Sequence, residues 1–248
     1  MKQNRFAEIV KYCHLLDSKG FVANHDGNIT ICSGEGSLWA TPTAIAKREM
    51  QESMIITLDT EGKKLSGPGA GKAFSEVKLH LSAYRARRDA KACIHAHPPH
   101  AMAFALAFAG SGMEIFIPEA IISIGHIIPI VPLALAASEE QMSGVATALS
   151  SSDVVLLAGN GVLSIGEDLE QAYLRLELVE HMAKVNYLMQ VSDRVPTRLS
   201  SQQLETLLQK RRELGFASSG IVSDRGTASG DDVVKQVVEN ELRKLFGK

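Results

Sequence analysis

With 248 residues, the chain is long enough for one α/β domain with a sizeable core and a small appendage. Its net charge of −2 and pI near 6.5 give no bulk attraction to nucleic acid or to an anionic membrane. Three scattered cysteines (Cys13, Cys32 and Cys93), with no Cys-x-x-Cys pair, suit a reducing compartment, so the expected location is the cytoplasm.

The first segment, MKQNRFAEIVKYCHLL, mixes charges with apolar residues and lacks the apolar core of a signal peptide. Phe6, Ile9, Val10, Cys13 and Leu16 recur at helical spacing, which predicts a helix over 5–19 that Gly20 ends. Asn28–Cys32 alternates and is β-branched, so it reads as a strand. Met54–Leu58 reads as another strand, followed by a turn at Asp59–Gly62. Ser75 stands at an N-cap for a helix over Glu76–Arg88. Ala92–His97 is a strand that Pro98-Pro99 must stop, and a helix over His100–Phe108 follows. The apolar run from Ile115 to Ala137 is interrupted by Glu119, His126 and three prolines, which predicts buried strands and no membrane span. Within it, Ile127–Val131 is one strand. Ser138–Leu149 reads as helix, Val154–Leu157 as strand, and Glu167–Met189 as a long helix. Beyond Ser192 the character changes. Residues 200–214 are polar and helical, and 217–230 have the composition of a flexible linker. Residues 231–248 carry Val233, Val234, Val237, Val238, Leu242, Leu245 and Phe246 on one helical face, suited to docking on an oligomer or on another protein. The expected division is a domain over 1–193 and a helical extension over 194–248.

Three features could carry chemistry. On a strand, His95 and His97 point to the same side, so two imidazoles can share a divalent ion, or they are two unrelated histidines at a strand end. Glu76 at a helix start is either a dipole-stabilised carboxylate or a general base, and His80 one turn later suits packing or orientation. Gly27-Asn28 and Thr41-Pro42-Thr43 offer amides and hydroxyls to an anion, as ordinary turns also do. Ser66–Ala73 imitates a phosphate-binding loop, but Ser66 stands in place of the first glycine and Ala73 in place of the magnesium-holding hydroxyl. It reads as a Gly/Pro loop.

Taken in order, NHDGNITI (24–31), WATPT (39–43), SEVKLHLSAYRARRDAKACIHAHPPHA (75–101), IPEA (117–120), IIPIVPL (127–133) and LLAGNGVLSIGEDLEQAYLRLELVEHMAKV (156–185) resemble the class II (metal-dependent) aldolase/adducin family. The resemblance covers about residues 5–190. It implies an α/β fold of three layers, with a single mixed, largely antiparallel sheet flanked by helices, usually in a homotetramer.

By position, the resemblance also implies His95, His97 and, weakly, Asn160 as metal ligands, with Zn²⁺ the expected ion. Glu76 would be the acid/base, and Asn28, Thr43 and Ser75 would lie around a substrate phosphate. The implied reaction is cleavage of a small phosphorylated ketose through a metal-stabilised enediolate. A 4-epimerase, a dehydratase and a catalytically degraded adducin-like binding or assembly module are the alternatives. The chain departs from the family pattern where Asn160 stands for the third metal histidine, Phe74 for a phosphate serine and Ala44 for a glycine. No tyrosine acid follows IPEA, and His126 is a loop histidine that could supply a ligand or an acid.

Overall fold

The structure, a computed structural model, describes residues 2–34, 36–68, 73–136, 138–192 and 196–216. Nine strands form one sheet: β1 (Asn28–Cys32), β2 (Ser37–Ala40), β3 (Ile56–Asp59), β4 (Lys64–Ser66), β5 (Ala92–Ala96), β6 (Gly112–Glu114), β7 (Ile127–Val131), β8 (Val154–Leu157) and β9 (Gly161–Gly166). Their order is β4-β3-β2-β1-β5-β9-β8-β7-β6, and every pairing is antiparallel except β7 with β8. The helices are α1 (Lys2–Ser18), α2 (Val77–Ala86), α3 (Pro99–Ala107), α4 (Pro118–Ile124), α5 (Glu139–Leu149), α6 (Leu169–Val191) and α7 (Ser201–Glu213). This is the mixed sheet flanked by helices that the family resemblance implies, and α7 is the helix that the polar run 200–214 predicts.

The period of two along each strand sorts side chains into two cores. Ile29 and Ile31 of β1, Ala92, Ile94 and Ala96 of β5, and Val162 of β9 face the layer that contains α1, α3, α4 and α6. Cys93, Leu163 and Ile165 face the opposite layer, where Leu79 and Ala83 of α2 meet Val145 and Leu149 of α5. The same alternation turns His95 toward α2. Asn28 stands directly across from His95 in the β1–β5 register.

Two capping arrangements, one borrowed and one local, fix the helices. The chain before α3 supplies no capping side chain, because Pro98 is at its N-cap. Glu180 of α6 fills that role: its Oε1 accepts from His100 N at 3.2 Å and from His100 Nδ1 at 2.7 Å, and its Oε2 accepts from Ala101 N at 2.8 Å. The segment just after β5 is thereby pinned. Helix α7 opens with a reciprocal capping box between Ser200 and Gln203. It packs on α4, and Leu204, Leu207 and Leu208 lie against the larger core.

Several expectations shift. Met54 lies in a short 3-10 turn, so the strand begins at Ile56. Residues 118–124 form α4 and not a strand. Pro118 is favoured in a first helical turn, and Ala120, Ile121 and Ile124 then bury a helical face. Ser75 is not the cap of α2. Glu76 occupies that position and makes no capping bond, its carboxylate being engaged elsewhere. Residues 64–66 at the start of the Gly/Pro loop pair as an edge strand. The 217–230 linker and the 231–248 helix lie outside the described residues.

Candidate metal and acid–base site

His95 stands one residue before the end of β5, and His97 follows immediately after the strand. The His95 ring is fully buried, and its Nδ1 lies 3.0 Å from the Val162 carbonyl on neighbouring β9. A carbonyl only accepts, so Nδ1 carries a hydrogen and Nε2 is the atom turned to the cluster. His97 directs Nδ1 to Asp26 Oδ2 at 3.5 Å and Nε2 to the cluster. The two Nε2 atoms stand 3.1 Å apart. Burial lowers the His97 pKa, the His95 ring lowers it further, and Asp26 and Glu76 oppose this.

Glu76 reaches the same point from the start of α2. Its Oε1 is 3.2 Å from His95 Nε2, and its Oε2 accepts from Asn28 Nδ2 at 3.0 Å. Burial alone would raise its pKa. The contact with His95, then Asn160 and Asn28, outweigh burial and hold the carboxyl well below the usual carboxylate range.

Two imidazole nitrogens this close need a cation between them, a proton or a metal ion. On a tetrahedral zinc ion with bonds of about 2.0–2.1 Å, neighbouring ligand atoms sit about 3.3 Å apart. The His95–His97 and His95–Glu76 separations match that edge, and these three residues form a cluster able to hold a metal. The donor set therefore fits a divalent ion.

Asn160 completes the wall with an anomaly. It lies between Gly159 and Gly161, whose φ values are +73° and +76°. A Cβ on Gly161 would come within 2.2 Å of the Ala96 carbonyl, so only glycine lets β9 start this close to the histidines. The Asn160 side chain is buried, and its Nδ2 has no hydrogen-bond partner. It lies near enough to Glu76 to favour the ionised carboxylate without closing a bond. As oriented, it offers an amide nitrogen, which donates and does not coordinate. Its oxygen can reach a metal only if the amide turns over. Asn160→His should therefore raise zinc affinity by at least about tenfold, or about 1.4 kcal/mol. Calorimetry showing unchanged affinity would remove Asn160 as the cause of weak binding.

Of the remaining sequence-predicted residues, Thr43 and Ser75 are exposed, and only Ser75 adjoins a member of the cluster in the chain. Thr41 is used structurally, accepting from Ile29 N at 3.1 Å. Phe74 is buried against His80, with ring centroids 5.1 Å apart, and does not face the site. His126 lies by β7 toward the far edge of the sheet, 3.5 Å from Glu114, apart from the cluster.

Sequence reading missed Asp26 and Glu180. A carboxylate behind a ligand histidine is a common arrangement, and Asp26 beside Gly27 could have been suspected on that ground. Nothing local marks Glu180, which is 80 residues from His100. Lys47 was missed as well. It is buried, donates to the His25 and Ile45 carbonyls at 3.3 and 3.0 Å, and ties the loop bearing Asp26 to the loop bearing Thr43.

A mixed three-layer α/β fold with two histidines and a glutamate converging at a strand end defines a candidate metal-dependent acid–base protein. The chain belongs to the family described as class II aldolase and adducin N-terminal domain, whose model matches residues 7–187. A relative named L-fuculose phosphate aldolase from Methanococcus maripaludis is 30% identical over 183 residues, covering 74% of this chain and 96% of that one. The protein of that name from Escherichia coli is 30% identical over 223 residues, covering 87% and 98%. A solved L-fuculose 1-phosphate aldolase superposes with a TM-score of 0.74 at 26% identity, covering 85% of this chain and 96% of that one. No helix among the described residues is long and apolar enough to cross a membrane.

Proposed function

We propose that the protein is a lyase that cleaves a small phosphorylated ketose between C3 and C4. The observation that carries this reading is the convergence of His95, His97 and Glu76, in a chain whose relatives are named as fuculose phosphate aldolases. His95, His97 and Glu76, with Asn160 beside them, would hold a divalent ion, assigned here as zinc, which supplies Lewis-acid stabilisation to charge developing on substrate oxygens.

Glu76 carries the proton at C3, giving it to the carbon in the cleavage direction and removing it in condensation. The resting carboxylate is a weak base because His95, Asn160 and Asn28 favour its charge. A substrate that displaces it from His95 and excludes water weakens those interactions and raises its basicity. Asn28 has a second amide hydrogen, and Thr43 and Ser75 have exposed hydroxyls. These three residues surround the phosphate in this reading.

The functional unit is a cytoplasmic homo-oligomer, a tetramer by family resemblance. Leu106, Leu133 and Leu135, at 51%, 67% and 84% exposure, support burial of this surface by another subunit.

The test is incubation of zinc-loaded protein with ketose 1-phosphates. Release of dihydroxyacetone phosphate and an aldehyde is the expected outcome. An epimeric or dehydrated product without cleavage would assign the 4-epimerase or dehydratase reading instead. Asn160 in place of a ligand histidine favours one further reading, a degraded binding or assembly module. Absence of both turnover and proton exchange with zinc, manganese or magnesium would select it.

A further inference from the structure

Behind Glu76, four side chains form a single line of hydrogen bonds. Asn28 Nδ2 donates to Glu76, and Asn28 Oδ1 lies 2.6 Å from His80 Nε2. His80 Nδ1 lies 2.8 Å from Thr30 Oγ1, which in turn lies 2.8 Å from the Tyr84 hydroxyl. All of this is on the α2 face of the sheet, where alternation along β1 places both Asn28 and Thr30.

The direction of each bond follows from the carboxylate at its end. An ionised carboxylate only accepts, so Asn28 must turn its NH₂ to Glu76 and its oxygen to His80. His80 Nε2 must then carry the hydrogen. The His80 ring is fully buried, and burial pushes its pKa down to about 3, with the His95 ring acting the same way and Glu76 opposing. It is therefore neutral, with a bare Nδ1 that accepts from the Thr30 hydroxyl. Tyr84 supplies the start of the line, its one hydroxyl hydrogen shared between Thr30 Oγ1 and the Thr30 carbonyl, 3.0 Å away. Phe74 closes the pocket, meeting the His80 ring edge-on.

We propose that His80 and Thr30 are positioning residues: they lock the Asn28 amide so that one N–H holds the Glu76 carboxylate and the other is left for a substrate oxygen. An amide facing the other way would set its oxygen against the carboxylate and its NH₂ against the Nε2 hydrogen of His80, so the His80 tautomer adds to the carboxylate in forbidding that state. The Thr30 hydroxyl selects the tautomer. This inference rests on the reading of Glu76 as the proton-carrying group, but the line of bonds has its own observable.

Thr30→Val removes the hydroxyl at nearly constant shape, and Thr30→Ser restores it. Two readouts are needed. Nitrogen NMR of the His80 ring should show hydrogen on Nε2 in the natural protein and in Thr30→Ser, and a mixture of tautomers in Thr30→Val. Proton exchange into dihydroxyacetone phosphate by the zinc-loaded protein should fall about 10- to 100-fold in Thr30→Val, more in kcat than in KM, as expected for a lost bond in a charge-assisted line. Thr30→Ser should recover to within about threefold of the natural rate. A residue that merely packs would shift neither the tautomer nor the kcat-to-KM balance. If Thr30→Val does not fold, Tyr84→Phe is read in the same two ways. Hydrogen on Nδ1 of His80 in the natural protein, or an unchanged tautomer and exchange rate in the variant, overturns the inference. Lack of exchange in the natural protein would overturn the reading of Glu76, while the tautomer measurement would still decide the fate of the line.

Discussion

Glu76→Gln is expected to lower proton exchange at the enolisable carbon of dihydroxyacetone phosphate by about 10²- to 10⁴-fold, the range over which positioned acid–base groups act. The fold should survive. A glutamine oxygen can still accept from Asn28 Nδ2, and its NH₂ can donate to Nε2 of a neutral His95, so both contacts made by Glu76 have a neutral counterpart. What is lost is the only carboxylate in the cluster. Its proton capacity disappears, and the lone pair of His95 becomes engaged by an amide hydrogen. Zinc affinity should therefore fall along with exchange, and the two losses are separable by working at saturating metal. The measurement is disappearance of the substrate proton signal in deuterated water, with unfolding followed in parallel. Undiminished exchange at saturating zinc would remove Glu76 from the mechanism.

The residues of this cluster differ in how far the sequence exposes them. β1, β7 and β8 are legible to the residue because β-branched alternation and flanking turn residues are local signals. The shared side of His95 and His97 follows from the strand period, even though His97 stands one residue past the strand. The helix α4 is not legible, since a short run rich in isoleucine suits a strand as well, and burial against α6 and α7 decides between them. The Ser75 expectation fails for a different reason. Serine is the better cap by propensity, but the carboxylate of Glu76 is drawn to Asn28 and His95, and the helix begins one residue later. Asp26 carries only the weak hint of its place beside Gly27, and Lys47 and Glu180 are invisible because they act on backbone or ring atoms whose location only the fold determines. His80 is intermediate: its i+4 spacing from Glu76 suggests an orienting role, but its partners Asn28 and Thr30 lie on a strand 52 and 50 residues away.

The same logic of distant partners gives the largest expected effect on stability. Asp153, fully buried at the start of β8, receives three guanidinium groups. Arg87 Nη1 is at 3.0 Å from its Oδ1, while Arg175 Nη2 and Arg211 Nη2 are at 3.1 and 2.6 Å from its Oδ2. These arginines come from the end of α2, from α6 and from α7, so one carboxylate ties three helices to the sheet. Asp153→Asn keeps the shape and removes the charge. Arg87 retains Asp89 at 2.6 Å, and Arg211 and Arg175 retain backbone carbonyls of Ile122, Ser123 and Ile165. Carbonyls satisfy N–H groups but do not cancel net charge, so Arg175 and Arg211 would face each other as like charges in a buried setting. The expected loss is about 3–5 kcal/mol, the usual cost of removing one partner from a buried ion pair. Arg211→Met removes a cation from a site already rich in them. It should cost less than about 1.5 kcal/mol, with burial of the methionine offsetting the lost bonds. The two substitutions together should be less damaging than their sum, because Arg211 no longer needs the charge that Asp153 supplied. Denaturant unfolding of the two single variants and the double variant measures all three values. Hydrogen exchange in α7 should rise most in Asp153→Asn. A loss below about 1 kcal/mol for Asp153→Asn, or strict additivity in the double variant, would mean that water or local rearrangement already screens these arginines, and that Leu204, Leu207 and Leu208 and the carbonyl bonds of Arg211 hold α7 without help from Asp153.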